Sequence, residues 1–313
     1  MHPRSSLTVL AAAAALLTTA TTATAATEPV SRAQVAAHFD LDAEQQPENI
    51  TVDRDGSAYL TFSFARQIAR VSPSGRTHVL ATLPAPEKAN TPNLGKAFVG
   101  GIARADDGTL YVTYATGTAE LTGVWAVRPG GRPRRIAALP ADGLPNGLAL
   151  DRRTGRIYVT DSVHGVVYRV DARGGRATVW AEGEALRPST FAGANGLKLH
   201  DGAVWVTNLD KGTILRIPVP ARGTAKRIQV HATGMPSIDD FAFTGRGDTL
   251  LAARDDNEVD LVRPDGTHTA VLTAADGLQT PTSVAVHGHT VYVPSAAYLT
   301  NKDPNLLVAH LDR

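Results

Sequence analysis

Short runs of alternating apolar and polar residues, bounded by Gly and Asp turns, recur along most of the chain. One kind of run begins at Glu48, Gly100, Asn146, Asn195, Asp239 and Thr282, and carries Ile, Leu, Phe or Val two positions later in every case. Successive starts lie 52, 46, 49, 44 and 43 residues apart. A turn such as Asp55-Gly56 or Asp107-Gly108 then leads into a second run: 58–61, 110–113, 157–160, 204–207, 250–253 and 291–294. β-branched and aromatic residues alternating between turn residues predict β-hairpins. Third runs follow at 68–71, 124–127, 167–170, 214–217, 259–262 and 306–309. A fourth, more polar run closes the units, as at 77–80 and 177–180.

Four strands per unit, repeated at 43 to 52 residues, predict an all-β fold, a six-bladed β-propeller with four-stranded blades. The last unit stops after its third strand near His310, whereas residues 34–39 form a spare strand ahead of the first unit. That strand is expected to close the ring as the outer strand of the sixth blade, which removes an open sheet edge. A pair of β-sandwiches would show no common register between units, and a common register is present.

Composition narrows the chemistry. There is no cysteine, so disulfides, thiol nucleophiles and thiolate metal sites are excluded, and metal chemistry falls to oxygen and nitrogen donors. With 31 Lys and Arg against 30 Asp and Glu and no basic block, neither nucleic acid nor an anionic membrane is an expected partner. The N-terminus has a short basic stretch, an apolar run from Leu7 to Leu17, and the small-x-small triplet Ala23-Thr24-Ala25. This order reads as a secretory signal over residues 1–25, with residues 26–313 as one propeller domain and a secreted, extracellular or periplasmic, location. A run of 11 residues is too short to remain as a membrane span.

The first strand of a blade lines the central channel, so the six starting positions form a ring. Glu48, Asn146, Asn195 and Asp239 bring carboxylate or amide oxygen to it, while Gly100 and Thr282 bring no charge and leave room on that side for water or substrate. Each has an ordinary alternative. Asn146-Gly147 and Asn195-Gly196 are turn-forming dipeptides, Glu48 suits a solvated loop, and Asp239 could cap a strand. Their shared register argues otherwise, because carboxylates gathered in a channel without a cation are costly. Oxygen donors suit a hard cation, Ca²⁺ first, which takes about six to eight of them. Mg²⁺ is second, and the lack of a ring histidine disfavours Zn²⁺.

The motifs Pro47-Glu48-Asn49, Pro145-Asn146-Gly147, Ala194-Asn195-Gly196 and Asp239-Asp240-Phe241 resemble those of the gluconolactonase and regucalcin (senescence marker protein) group, to which diisopropylfluorophosphatase is related in structure. The resemblance spans the whole mature chain. It implies a six-bladed propeller whose Glu48, Asn146, Asn195 and Asp239 hold a catalytic Ca²⁺ or another divalent ion. It also implies hydrolysis of lactones, esters or organophosphates. The glycine at position 100 departs from the group's polar substrate-binding pattern.

Loops between second and third strands return to the face where first strands begin, and carry residues 63–66, 161–164, 208–211, 254–257 and 295–298. Specificity is expected there. The expected reaction is metal-assisted hydrolysis of a small-molecule substrate by a monomer. Asp239 would be both ligand and general base, His164 a proton shuttle, and Asn208 and Arg254 substrate contacts. His164 as an exposed turn residue and Arg254 as a surface ion pair are the plainer alternatives. At the level of function the alternative is a non-catalytic ligand-binding propeller with a structural channel ion. A quinoprotein-type dehydrogenase would need a cofactor platform absent from the sequence. A strictosidine-synthase-like enzyme would lack the acidic ring.

Overall fold

The computed structural model describes residues 29–312 except Lys226. The expected export segment, residues 1–25, lies outside the described residues. Six four-stranded antiparallel sheets are arranged as the blades of a propeller. The first blade contains β2 (Pro47–Val52), β3 (Ala58–Phe62), β4 (Gln67–Val71) and β5 (Thr77–Thr82), after the N-terminal β1 (Val30–His38). The second runs β6 (Phe98–Arg104), β7 (Leu110–Ala115), β8 (Gly123–Val127) and β9 (Arg134–Ala138). The third runs β10 (Pro145–Asp151), β11 (Arg156–Asp161), β12 (Val166–Asp171) and β13 (Thr178–Glu182). The fourth runs β14 (Ala194–His200), β15 (Ala203–Asn208), β16 (Thr213–Pro218) and β17 (Gln229–Ala232). The fifth runs β18 (Ile238–Phe243), β19 (Leu250–Arg254), β20 (Glu258–Val262) and β21 (His268–Leu272). The sixth takes β22 (Ala285–His287), β23 (Thr290–Ser295) and β24 (Asn305–Leu311), and β1 pairs antiparallel with β24 as its outer strand. The ring therefore closes through the N-terminal strand, as the repeat predicts.

Burial follows position in the blade. Second strands such as β7 and β15 are buried throughout, because neighbouring blades cover both sheet faces. The outer strand β5 alternates half-buried and exposed residues. Six apolar clusters fill the interfaces between successive blades; Tyr158 and Trp180 of the third blade, for example, pack with Val204, Val206 and Leu215 of the fourth. The Asp-Gly turns form as expected, with φ of +79° at Gly56 and +85° at Gly108, a conformation glycine adopts without steric cost. Among the described residues, no helix is long and apolar enough to cross a membrane.

One irregularity recurs. The ladder between first and second strands breaks its register between Pro47 and Asn49, Val99 and Ile102, Pro145 and Leu148, Ala194 and Leu197, and Ile238 and Phe241. Each break contains the residue that starts the repeat. A bulge frees that residue from the pleat and re-aims its side chain, which is how five successive strands turn one residue each toward the channel. Asn146-Gly147 and Asn195-Gly196 thus lie inside strands rather than in turns. A Cβ on Gly147 would sit 2.4 Å from the carbonyl oxygen of Asn195, and one on Gly196 only 2.7 Å from that of Asp239. Only glycine lets the first strands approach so closely.

Candidate metal centre at the channel mouth

The bulges converge the expected ring. The Asn146 amide donates to Asn195 Oδ1, and Asn195 Nδ2 donates to Asp239 Oδ1 at 2.6 Å. Glu48 completes the set from the first blade, its Oε2 accepting from the Tyr298 hydroxyl at 2.7 Å. All four are buried, between 1% and 7% exposed.

A side-chain relay fixes this geometry. Thr207 Oγ1 accepts from the Gly196 N–H of its own blade at 2.7 Å and donates to the Asp239 carbonyl of the next. Thr61 likewise accepts from the Asn49 N–H at 3.1 Å and donates to the Gly100 carbonyl at 2.7 Å. Thr113 donates to the Asn146 carbonyl at 2.6 Å, and Thr160 to that of Asn195. A bulge leaves backbone groups without ladder partners, and buried groups of that kind must find others. These threonines end the second runs of the repeat, so their register was visible in the sequence; their role was not.

Electrostatics mark the centre. Burial pushes the Glu48 carboxyl up to about 8, helped by the charges of Asp255 and Asp240 and opposed by the Tyr298 hydrogen bond. Burial, then the charges of Glu48, Asp255 and Asp240, hold Asp239 well above the usual carboxylate range. Asp255, from the β19–β20 loop, rises to about 7 through desolvation and its neighbour Asp256. Burial is the first cause at all three carboxyls, and at Asp239 the repulsion of its acidic neighbours adds to it against the opposing charge of Lys198. Among the described residues, no three His, Asp or Glu side chains gather into a ready cage by themselves. Half of the ring's donors are amides, however, and an all-oxygen set of two carboxylates and two carboxamides fits a hard divalent cation.

Beneath the ring, Asp240 Oδ2 accepts from Asn49 Nδ2 at 2.9 Å, from Ser283 Oγ at 2.8 Å and from the Lys198 ammonium. Lys198 is thereby committed to Asp240. It also borders a cavity of about 750 Å³ at the opposite end of the channel, near Arg104, Arg152 and His200. No set of perturbed carboxyls lies in that cavity, so its size does not make it the chemical site.

Other expected residues lie elsewhere. Asn208 donates its amide to the Ala185 and Arg187 carbonyls, both at 2.9 Å, and accepts from the Lys211 N–H, which occupies it with loop structure. Arg254 is held by Glu258 at 2.8 Å, by Asp260 at 3.3 Å and by Asp256. His164 lies 3.1 Å from Asp161 and 3.4 Å from Asp142, and makes no contact with the ring. Its neighbour Ser162 does reach it, donating to Asn195 Oδ1 at 2.9 Å. Asp255, Tyr298 and Ser162 all come from the loops expected at the mouth, but nothing in their spacing singles them out. The blade-two sector is not open. The Phe98 ring stands 3.1 Å from where a Cβ on Gly100 would lie.

The structure is similar to a gluconolactonase from Xanthomonas campestris, with a TM-score of 0.64 and 16% identity over 90% of each chain. It is similar to regucalcin, a calcium-binding protein from Agrobacterium tumefaciens, at a TM-score of 0.64 and 17% identity, covering 89% of this chain and 96% of that one. Virginiamycin B lyase from Staphylococcus aureus superposes at a TM-score of 0.58 and 14% identity, covering 90% and 99%. At these identities the likeness is one of fold. No protein-family model and no curated protein sequence matches the chain.

Proposed function

We propose that this chain is a divalent-cation-dependent hydrolase of lactones or related esters, with Ca²⁺ as the first choice of ion. The observation that carries the reading is the buried array in which Asn146, Asn195 and Asp239 are linked by hydrogen bonds and Glu48 joins from the first blade, with both carboxyls raised chiefly by burial. The similarity in fold to a gluconolactonase and to a calcium-binding regucalcin supports it. Glu48 and Asp239 would supply charge to the ion, and Asn146 and Asn195 would turn their amide oxygens toward it. A bound cation supplies Lewis-acid polarisation of the scissile carbonyl. Asp239 would be a ligand. Asp255 faces the same space with a carboxyl near neutrality, and we give it the proton from the attacking water in place of His164, which Asp161 and Asp142 hold away. Tyr298 would orient Glu48 through its 2.7 Å hydrogen bond.

Elemental analysis of the purified chain, joined to hydrolysis of a lactone and aryl-ester panel with and without chelator, tests this. Bound ion with chelator-sensitive turnover is expected; turnover indifferent to chelator overturns it. A second reading, a binding propeller with a structural ion, draws on the low exposure of the ring, at most 7% per residue. It predicts thermal stabilisation by Ca²⁺ without turnover. We further propose an exported monomer, on the N-terminal pattern of residues 1–25 and the closed ring of blades. A secreted form beginning at Ala26 and eluting at one chain's mass is the expected result.

A further inference from the structure

Six apolar clusters are accounted for by the six interfaces between blades, but a seventh is not. It joins buried Phe98, Ala115 and Leu144 to the half-buried Phe64, Leu94 and Val163. All six come from strand ends or loops on the mouth face of the first three blades. The cluster is continuous with the ring at both ends. The Phe64 ring lies 5.5 Å from that of Tyr298, which holds Glu48, and 6.2 Å from that of Phe98, which flanks Gly100. Leu144 precedes the Pro145-Asn146 start, its carbonyl accepting from the N–H of Ser162 at 2.9 Å; Ser162 in turn touches Asn195.

The loop between β5 and β6, in the longest of the repeat spacings, brings Leu94 over this wall. Its neighbour Asn93 donates to the Phe191 carbonyl at 2.6 Å, tying the loop to the connection between the third and fourth blades. Several polar groups beside the wall are engaged: Ser63 with Tyr298, Ser162 with Asn195, and Lys96, whose ammonium stands 5.0 Å from the Phe64 ring centroid, with Glu44. A polyhydroxylated substrate would therefore lose water hydrogen bonds here without replacing them, a cost an apolar group does not meet. Lys198 is committed to Asp240 and Lys96 to Glu44, so neither ammonium is offered to an anionic substrate.

We infer that the substrate is an uncharged lactone or ester whose apolar alkyl or aryl substituent lies against the half-buried Phe64 and Val163, backed by Phe98 and Leu144, while its carbonyl faces the ring. This rests on the proposed hydrolase reading and adds the substrate class.

The test compares two lactones of equal ring size on the Ca²⁺-loaded full chain. An alkyl-substituted δ-lactone such as δ-undecalactone is expected to exceed glucono-δ-lactone in kcat/KM by on the order of tenfold or more. The Phe64→Ser variant, altered at a half-buried position, should lose most of that preference, chiefly through KM. Equal or better turnover of glucono-δ-lactone overturns the inference and leaves the hydrolase reading standing. If neither lactone is turned over, the hydrolase reading falls. The inference is then decided by calorimetric binding of the ring ether, hexyl tetrahydropyran. Saturable binding weakened in Phe64→Ser supports the apolar wall, and no binding overturns it.

Discussion

Two arcs of one ring share a backbone and differ in chemistry. Through the third to fifth blades the bulged position carries Asn146, Asn195 and Asp239, linked amide to amide to carboxylate. In the second blade the same position is Gly100, and the space beside it holds the Phe98 ring. Yet Thr61 pins the Gly100 carbonyl as Thr207 pins that of Asp239. The scaffold thus sets where a side chain emerges and leaves its identity free. One arc gathers oxygen-bearing side chains in a desolvated place; the other lowers local polarity next to it. A cation held by the polar arc, as proposed, would sit beside an apolar wall, where water exclusion strengthens electrostatic interactions.

Substituting the polar arc should have the largest effect. Asp239→Ala is expected to lose the retained ion and to cost turnover on the order of a hundredfold or more, read by elemental analysis after desalting and by lactone hydrolysis. Full retention of both would remove this arc from the chemistry.

The polar arc should also govern pH dependence. Glu48 rises from 4.5 to about 8 and Asp255 from 3.8 to about 7 in the folded protein. Between those limits the folded chain binds more protons than the unfolded one, so the stability of the metal-free protein falls as pH rises through the window. Cation binding favours the ionised carboxyls and releases their protons. Thermal melts with chelator should therefore drop from pH 5 to pH 8, while the gain on adding Ca²⁺ should grow. A Ca²⁺ gain independent of pH would show that these carboxyls do not face the ion.

On the apolar arc, Phe98→Ala should cost about 3–5 kcal/mol by denaturant titration, because a buried aromatic leaves a cavity. Ion stoichiometry should be unchanged. Loss of the ion in that variant would mean that the two arcs are not separable.

The smallest effect separates scaffold from chemistry. Thr207→Val leaves the Gly196 N–H and the Asp239 carbonyl without their side-chain partner, at about 1–3 kcal/mol. Thr61→Val should cost a similar amount at Gly100. The Thr207 variant, which frees the strands of both Asn195 and Asp239, should weaken Ca²⁺ binding more in a calorimetric titration than the Thr61 variant, which frees that of Glu48 alone among the ligands. Equal weakening in both would assign the relay to overall rigidity.

Much of this molecule was legible in the sequence because propeller blades repeat a local pattern. The repeat starting at Glu48, Gly100, Asn146, Asn195, Asp239 and Thr282 determined the number of blades, the strand order, the N-terminal closure and the four oxygen-bearing ring positions. Periodicity and turn chemistry act over a few residues, so they survive in one dimension. Asn208 and Arg254 sat in the right loops, but loop membership does not say which way a side chain faces. Backbone carbonyls occupy the first, and acidic neighbours of its own blade hold the second.

Tertiary structure alone decided what converges from different blades. Asp255, Tyr298 and Glu48 are far apart in sequence and meet only because the ring closes. Thr282, expected to face the channel, instead donates its hydroxyl to the Pro47 carbonyl at 2.9 Å, across that closure. The raised carboxyls, the committed Lys198 and the apolar wall beside Gly100 all arise from burial and proximity between blades, which no local pattern of residues encodes.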